Sequence, residues 1–192
     1  MLSRLTLGTS SGIHAWHNDF YIRRIRVGKN EAIYNYLVNN IPELVEDDKF
    51  RPHDTAIISI PQKAPQGAIT RHESALDMLR RVKTVSDTWI KGGHTKGQNT
   101  HNVSATITIK PDEWKCVGEW MWLNRKCYNG LSVLPFSDHS YVQAPFEDCS
   151  KEQYETLLKH VKRIDLDLII EEQDETNLSG ELACAGGSCE VF

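Results

Sequence analysis

The sequence is short of several features, and each shortage narrows what it can be. No apolar run approaches the length needed to span a bilayer, and no signal-peptide pattern precedes the first polar residues. A net charge of only -4 provides no broad attraction for nucleic acid. The five cysteines are odd in number and contain no C-x-x-C pair. That pattern fits reduced thiols in the cytoplasm better than a secreted disulfide framework. There is no internal repeat and no long Gly/Ser linker. Between residues 171 and 192 there is neither Lys nor Arg.

What is present is a chain of 192 residues, 40% of them hydrophobic. This suits one ordinary domain or the closing portion of a larger one. Ile33, Tyr34, Leu37, Val38 and Ile41 recur at helical spacing, with Asn30 as the expected cap and Pro42 as the limit. Ala56 to Ile60 reads as a buried strand closed by Pro61. Thr70 and Glu73 form a capping-box pattern. The helix they start should turn Leu76, Leu79, Val82, Trp89 and Ile90 inward and stop at Gly92-Gly93.

The clearest strand follows, with Val103, Ala105, Ile107 and Ile109 alternating with polar residues. Pro111, Asp112 and Glu113 suit a helix first turn, where proline loses no hydrogen bond and the acids face the positive dipole end. Asn129-Gly130 should end that helix, and Leu131 to Leu134 reads as another strand. Ser150 and Gln153 repeat the capping-box pattern before a helix bearing Tyr154, Leu157, Leu158 and Val161 on one face. Ile164, Leu166, Leu168 and Ile170 alternate with Asp165 and Asp167 as a last short strand. Alternating strands and helices indicate an α/β fold. The strands are too few to close a barrel alone. Residues 171–192 are acidic and glycine-rich, with scattered apolar side chains, and are expected to form a mobile tail.

The sharpest chemistry lies in that tail, at Cys184-Ala-Gly-Gly-Ser-Cys189. The Gly-Gly hinge allows the tight path that brings two sulfurs within bonding distance. A disulfide there would close only a short loop and add little stability. Reversible exchange explains the pair better: one thiolate attacks an external disulfide and the other resolves the mixed disulfide. From Glu171 to Cys184 an extended chain reaches on the order of 45 Å. The bland alternatives are incidental terminal cysteines or half of a metal site. No histidine lies near the pair, and no second pair completes a zinc set. Cys116, Cys127 and Cys149 read as ordinary packing residues.

Several segments together resemble the ribonucleotide reductases. Gly8-Thr-Ser-Ser-Gly-Ile-His14, His17, Tyr21-Ile-Arg-Arg24 and Arg26 are similar to the stretch after that family's substrate-phosphate loop. Further along, Lys63-Ala-Pro-Gln-Gly-Ala-Ile-Thr70, Asn102-Val-Ser-Ala-Thr-Ile107, Gly130-Leu-Ser-Val-Leu-Pro135 and Pro145-Phe-Glu-Asp-Cys-Ser-Lys-Glu-Gln-Tyr154 follow in the family's order. The terminal C-x-x-x-x-C completes the series. The match is best to the adenosylcobalamin-dependent class and its monomeric branch. The adjacent tyrosine pair of the oxygen-dependent class and the glycyl-radical motif of the anaerobic class are both absent from this sequence.

The resemblance implies that residues 1–170 are the C-terminal part of a ten-stranded α/β barrel and that residues 171–192 are its redox-active dithiol tail. In the family a thiyl radical abstracts a substrate 3′-hydrogen. Two further cysteines reduce the 2′ position, and the tail dithiol, here Cys184 and Cys189, reduces the disulfide they leave. The N-x-C-x-E-type motif carrying the radical cysteine is absent here, and Cys116, Cys127 and Cys149 match none of those roles. Of the phosphate loop, P-S-G-T-x-S, only the end is present: Met1 stands where a Thr is expected, and Ser3 is its last serine. A split gene, an intervening sequence or a truncation would each produce this start. The implied cofactor is adenosylcobalamin, bound mainly by an N-terminal reductase fragment. The implied partners are that fragment, a thioredoxin-like reductant and a ribonucleotide, with no nucleic acid and no membrane.

Three bland readings stand beside this. Ser10, Ser11 and Gly12 could form a simple turn, with His14 and His17 hydrogen-bonded structural residues rather than ligands. Arg23, Arg24 and Arg26 could line a solvated edge. Trp120 and Trp122 read as core or subunit contacts rather than a nucleotide platform. At the level of function, the alternatives are a noncatalytic degenerate fragment that binds or regulates a reductase, and a free-standing thiol oxidoreductase. The intact dithiol weighs against the first, and the lack of a C-x-x-C at a helix start against the second.

Overall fold

A computed structural model of the chain describes residues 10–93, 100–137 and 141–170. Its architecture is mixed α/β. Strand β1 (Phe20–Gly28) is followed by helix α1 (Ala32–Asn40), a 3-10 turn (Pro42–Leu44), β2 (Val45–Asp47) and β3 (Thr55–Lys63). Helix α2 (Ala75–Val85) runs on into a π turn (Ser86–Ile90). Then come β4 (Thr106–Ile109), α3 (Trp114–Leu123), β5 (Ser132–Pro135), β6 (Phe146–Asp148), α4 (Lys151–Val161) and a 3-10 turn (Leu166–Leu168). The strands form two sheets: an antiparallel one in the order β2-β3-β1-β6, and a parallel pair, β4 and β5.

Two cores correspond to these sheets. Val27, Ala56 and Ile58 of the four-stranded sheet meet Leu37, Ile41 and Leu44, with Leu157, Val161 and Ile164 packed against them. Leu79 and Val82 of α2 meet Ile107 and Ile109 of β4 and Val117 of α3. Both clusters bury aliphatic side chains, each contributing on the order of 1.5–3 kcal/mol.

Strand β4 alternates as its sequence requires, with Ile107 and Ile109 buried and Thr106 and Thr108 exposed. At α4 the capping box forms in full: the Ser150 hydroxyl accepts from the Gln153 amide, and the Gln153 side chain accepts from the Ser150 amide. Other expectations are corrected. Glu31, not Asn30, caps α1, and its carboxylate accepts from the Gly28 amide at 2.8 Å. Ser74, not Thr70, caps α2, and Glu73 instead pairs with Arg81 at 2.6 Å. Trp89 is 77% exposed. The π turn holds more residues than an α turn, so the helical phase slips, Ser86 and Ile90 take the inner side, and Trp89 swings out.

Strand β3 continues through Pro61, paired with Ile22. The Thr55 carbonyl accepts from Asp48 on the β2 side. By the two-residue alternation Pro61 faces that same side, where β2 reaches no further than Ile58 and no amide is required. Helix α3 ends at Leu123, before Asn129-Gly130, and starts after Glu113. Glu113 does not serve the helix dipole alone: its two oxygens accept from the amides of Ala75 and Lys110. Ile164 to Ile170 is not a strand. The Asp165 side chain accepts from the Asp167 amide and folds the segment into a 3-10 turn.

Candidate functional site

Ser3, Cys184 and Cys189 lie outside the described residues. The described residues begin with Ser10, seven positions after Ser3. Ser10 to His14 makes a turn with Gly12 at φ +57, a left-handed conformation that favours glycine. His14 uses both ring nitrogens. Nδ1 lies 2.9 Å from the Ser11 carbonyl and must donate to it, which leaves Nε2 to accept from the Thr106 amide at 3.1 Å. Arg81 donates to the Ile13 carbonyl at 2.9 Å. Trp16 is bridged to Thr70 through backbone bonds to Ile69 and Arg71.

Next in the chain, His17 meets Asp148 of β6 at 3.1 Å, stacked on Phe146 and edge-on to Tyr21. Arg71 holds the other Asp148 oxygen at 2.8 Å. The Arg71 guanidinium also lies 5.9 Å from the ring centre of Phe136, just past β5, so one side chain links the two sheets. Burial works against the charge of Asp148, but the Asn18 hydrogen bond and the Arg71 and His17 charges outweigh it. Together they hold its carboxyl below the usual range. The neighbouring Cys149 thiol is pushed up by burial and then by the charges of Asp148 and Glu147, which favour the protonated thiol over the thiolate.

Arg24 is half-buried and Arg26 is exposed, and both are paired with acids on other segments. Arg24 is bonded to Glu147 of β6 at 2.5 Å, to Glu46 of β2 at 3.3 Å and to the Ala144 carbonyl. Arg26 meets the buried Asp48 at 2.8 Å. Asp48 also accepts from the amides of Phe50 and Arg51. Buried Gln143, with φ 59, bonds the Lys49 amide and the Asp47 carbonyl. These contacts seat the segment leading into β6. Arg23 lies 5.7 Å from the Phe146 ring centre.

Cys127 is buried and Cys116 donates to the Glu113 carbonyl, as packing residues do. Trp120 stacks on Tyr128 against the α2–β4 core. Trp122 is exposed under the Arg125 guanidinium. The Arg71–Asp148 pair and the Asp48–Gln143 network were not legible in the sequence, because their members lie 77 and 95 residues apart with no local motif between them. Among the described residues no group of three His, Cys, Asp or Glu is placed to hold a metal ion. None of the described helices is long and apolar enough to cross a membrane. One cleft is lined by Ser86, Lys91, His101 and Cys127, and another by Ile22, Gln153 and Leu157. Neither offers an enclosed seat for a group as large as adenosylcobalamin.

Comparison with known proteins gives a consistent picture. No family model matches the chain. An adenosylcobalamin-dependent ribonucleoside-triphosphate reductase of Lactobacillus gasseri is 26% identical over 188 residues, covering 96% of this chain and 24% of its own. The Euglena gracilis protein of the same name is 26% identical over 166 residues, covering 82% of this chain and 21% of its own. The crystal structure of a B12-dependent (class II) ribonucleotide reductase superposes with a TM-score of 0.64 at 23% identity, over 83% of this chain and 21% of that one. The resemblance read from the motifs is thus shown by relatives of one name, and the fold agrees. The chain spans less than a quarter of the length of the relatives it matches.

Proposed function

We propose that this chain is the C-terminal part of an adenosylcobalamin-dependent ribonucleotide reductase and that its Cys184–Cys189 dithiol regenerates the active site after each turnover. The observation that carries the reading is similarity along almost the whole chain to reductases of that type, joined to the C-x-x-x-x-C at residues 184–189. The relatives' names favour a ribonucleoside triphosphate as substrate.

In this reading the chain closes a ten-stranded α/β barrel whose remainder carries the radical cysteine and binds most of the cobalamin. The cofactor supplies the radical. The chain's own share is the end of the phosphate loop at Ser3, where a hydroxyl would meet substrate phosphate, and the dithiol. A thiolate of the pair attacks the active-site disulfide and forms a mixed disulfide. The second thiolate displaces the active-site thiol, which leaves both active-site sulfurs reduced and the tail oxidised. A thioredoxin-like dithiol then supplies two electrons and two protons to the tail. Residues 171–192 act as a mobile carrier between the two sites.

The β4–β5 pair supports the barrel reading. Parallel strands are ordinarily covered on both faces. Here all four residues of β5 are exposed, Leu134 at 54%. The remainder of the barrel, packed against this pair, would supply the missing cover. The test is assembly. The chain without the N-x-C-x-E-bearing part should reduce no nucleotide. Combined with that part, adenosylcobalamin and a reductant, it should convert ribonucleotide to deoxyribonucleotide. Turnover by residues 1–192 alone would refute the reading.

A further inference from the structure

We propose that the cleft between the π turn after α2 and the segment after α3 binds a phosphate-sized oxyanion, held by the Ser86 hydroxyl and the ammonium groups of Lys91 and Lys126. None of these residues takes part in the reductase reading above.

Leu79, Val82 and Ser86 recur at helical spacing and are all buried, so the inward stripe of α2 ends on a polar residue. Ser86 is 5% exposed and lines the cleft. Among the described residues its hydroxyl meets no hydrogen-bond partner. A buried hydroxyl without a partner is destabilising, and a ligand that accepts from it removes that penalty. The Lys91 amide donates to the Ser86 carbonyl at 2.9 Å. That bond closes the π turn and brings Lys91 into the same lining. Turns of this kind are frequent at functional sites. The facing wall carries Lys126 and Cys127. Asn102 fixes that wall. Its side chain donates to the Gly130 carbonyl at 3.2 Å and accepts from the amides of Asn129 and Gly130 at 3.3 and 3.4 Å.

Charge and size select the ligand. Lys91, Lys126 and His101 line the cleft, and no carboxylate does. Asp87 is shared between Lys83 and Lys91, at 2.9 and 2.6 Å, so one acid faces two lysines and positive charge is left over. The cleft offers about 50 Å³. That is room for a few waters or one tetrahedral oxyanion, and not for a nucleoside. Free phosphate and the terminal phosphate of a nucleotide present the same chemistry to it.

The test titrates the 192-residue chain with inorganic phosphate at constant ionic strength, followed by phosphorus NMR and by thermal melting. Binding should saturate with a dissociation constant on the order of 1 mM, the scale of a few charge-assisted hydrogen bonds, and should raise the melting temperature. Ser86→Ala and Lys126→Gln should each weaken binding roughly tenfold, the scale of one such bond. Ser86→Ala removes a hydroxyl that has no partner, so in chloride alone its melting temperature should be no lower than that of the unchanged chain. Lys126 is exposed, and its replacement carries the test if Ser86→Ala does not fold. Lys115, exposed on α3 outside the cleft, is the control, and Lys115→Gln should bind as before. A nucleoside triphosphate then identifies the source. Competition with phosphate at higher affinity supports a nucleotide's phosphate in the site, and saturable phosphate binding without competition supports the free ion. Phosphate that does not saturate overturns the proposal. So does phosphate that binds Ser86→Ala and Lys126→Gln as well as the unchanged chain, or that is weakened equally by Lys115→Gln.

Discussion

At Asp48 burial and bonding pull in opposite directions. Burial penalises its charge, but the amides of Phe50 and Arg51 and the Arg26 guanidinium more than compensate, so the carboxyl titrates below its usual range. A depressed folded pKa means that this stabilisation is present above the unfolded value of about 3.9 and is lost as pH falls through the folded one. Replacing Asp48 with Asn should therefore cost on the order of 2 kcal/mol at neutral pH. The two proteins should converge as the pH drops below about 4. Thermal melts followed by circular dichroism at several pH values would check this; an equal gap at pH 7 and pH 3 would contradict it. The same residues explain why β1 was hard to see. Arg23, Arg24 and Arg26 break its apolar pattern, and nothing local reveals that Glu147, Glu46 and Asp48 wait on other segments to neutralise two of them.

Among the elements, legibility followed how local the determining interactions are. Strand β4 was readable because one face meets one core, and α4 because Ser150 and Gln153 satisfy each other within a single turn. Thr70 and Glu73 show the same spacing without the bond, since Arg81 draws Glu73 away and Ser74 sits one residue from the helix. Ile164–Ile170 kept a strand-like alternation that a single Asp165 side chain overrode. The three-residue β6 has too little sequence to show a period; only its pairing with β1 defines it. The caps supply a direct comparison. Ser150→Ala and Ser74→Ala should each lower stability by about 1 kcal/mol, and Thr70→Ala should change it by less than about 0.5 kcal/mol. Chemical denaturation of the three variants would measure this, and a Thr70→Ala loss matching the other two would show that the cap is misplaced.

For the whole molecule, the motifs carried the resemblance to ribonucleotide reductases, because their order along the chain is itself a long-range constraint. The candidate site was legible only in part. Ser3, Cys184 and Cys189 were read from spacing and resemblance, and they lie outside the described residues. What the fold shows among the described residues is a turn fixed by His14 and Arg81, a second sheet joined by Arg71, and a parallel pair with exposed strand β5. On this account the radical chemistry belongs to the rest of the barrel, and the tail dithiol serves only regeneration.

That division of labour is tested most directly by product formed per active site, first in a single-turnover burst and then at steady state, with Cys184→Ser or Cys189→Ser in the assembled reductase. Exchange needs both an attacking and a resolving thiol, and the first turnover needs neither. The account predicts a full burst in each variant, loss of steady-state turnover supported by a thioredoxin-like protein, and partial recovery with a small dithiol that enters the site directly. Loss of the burst itself, in a Cys184→Ser protein that folds and assembles normally, would contradict the account and place this pair at the chemical step.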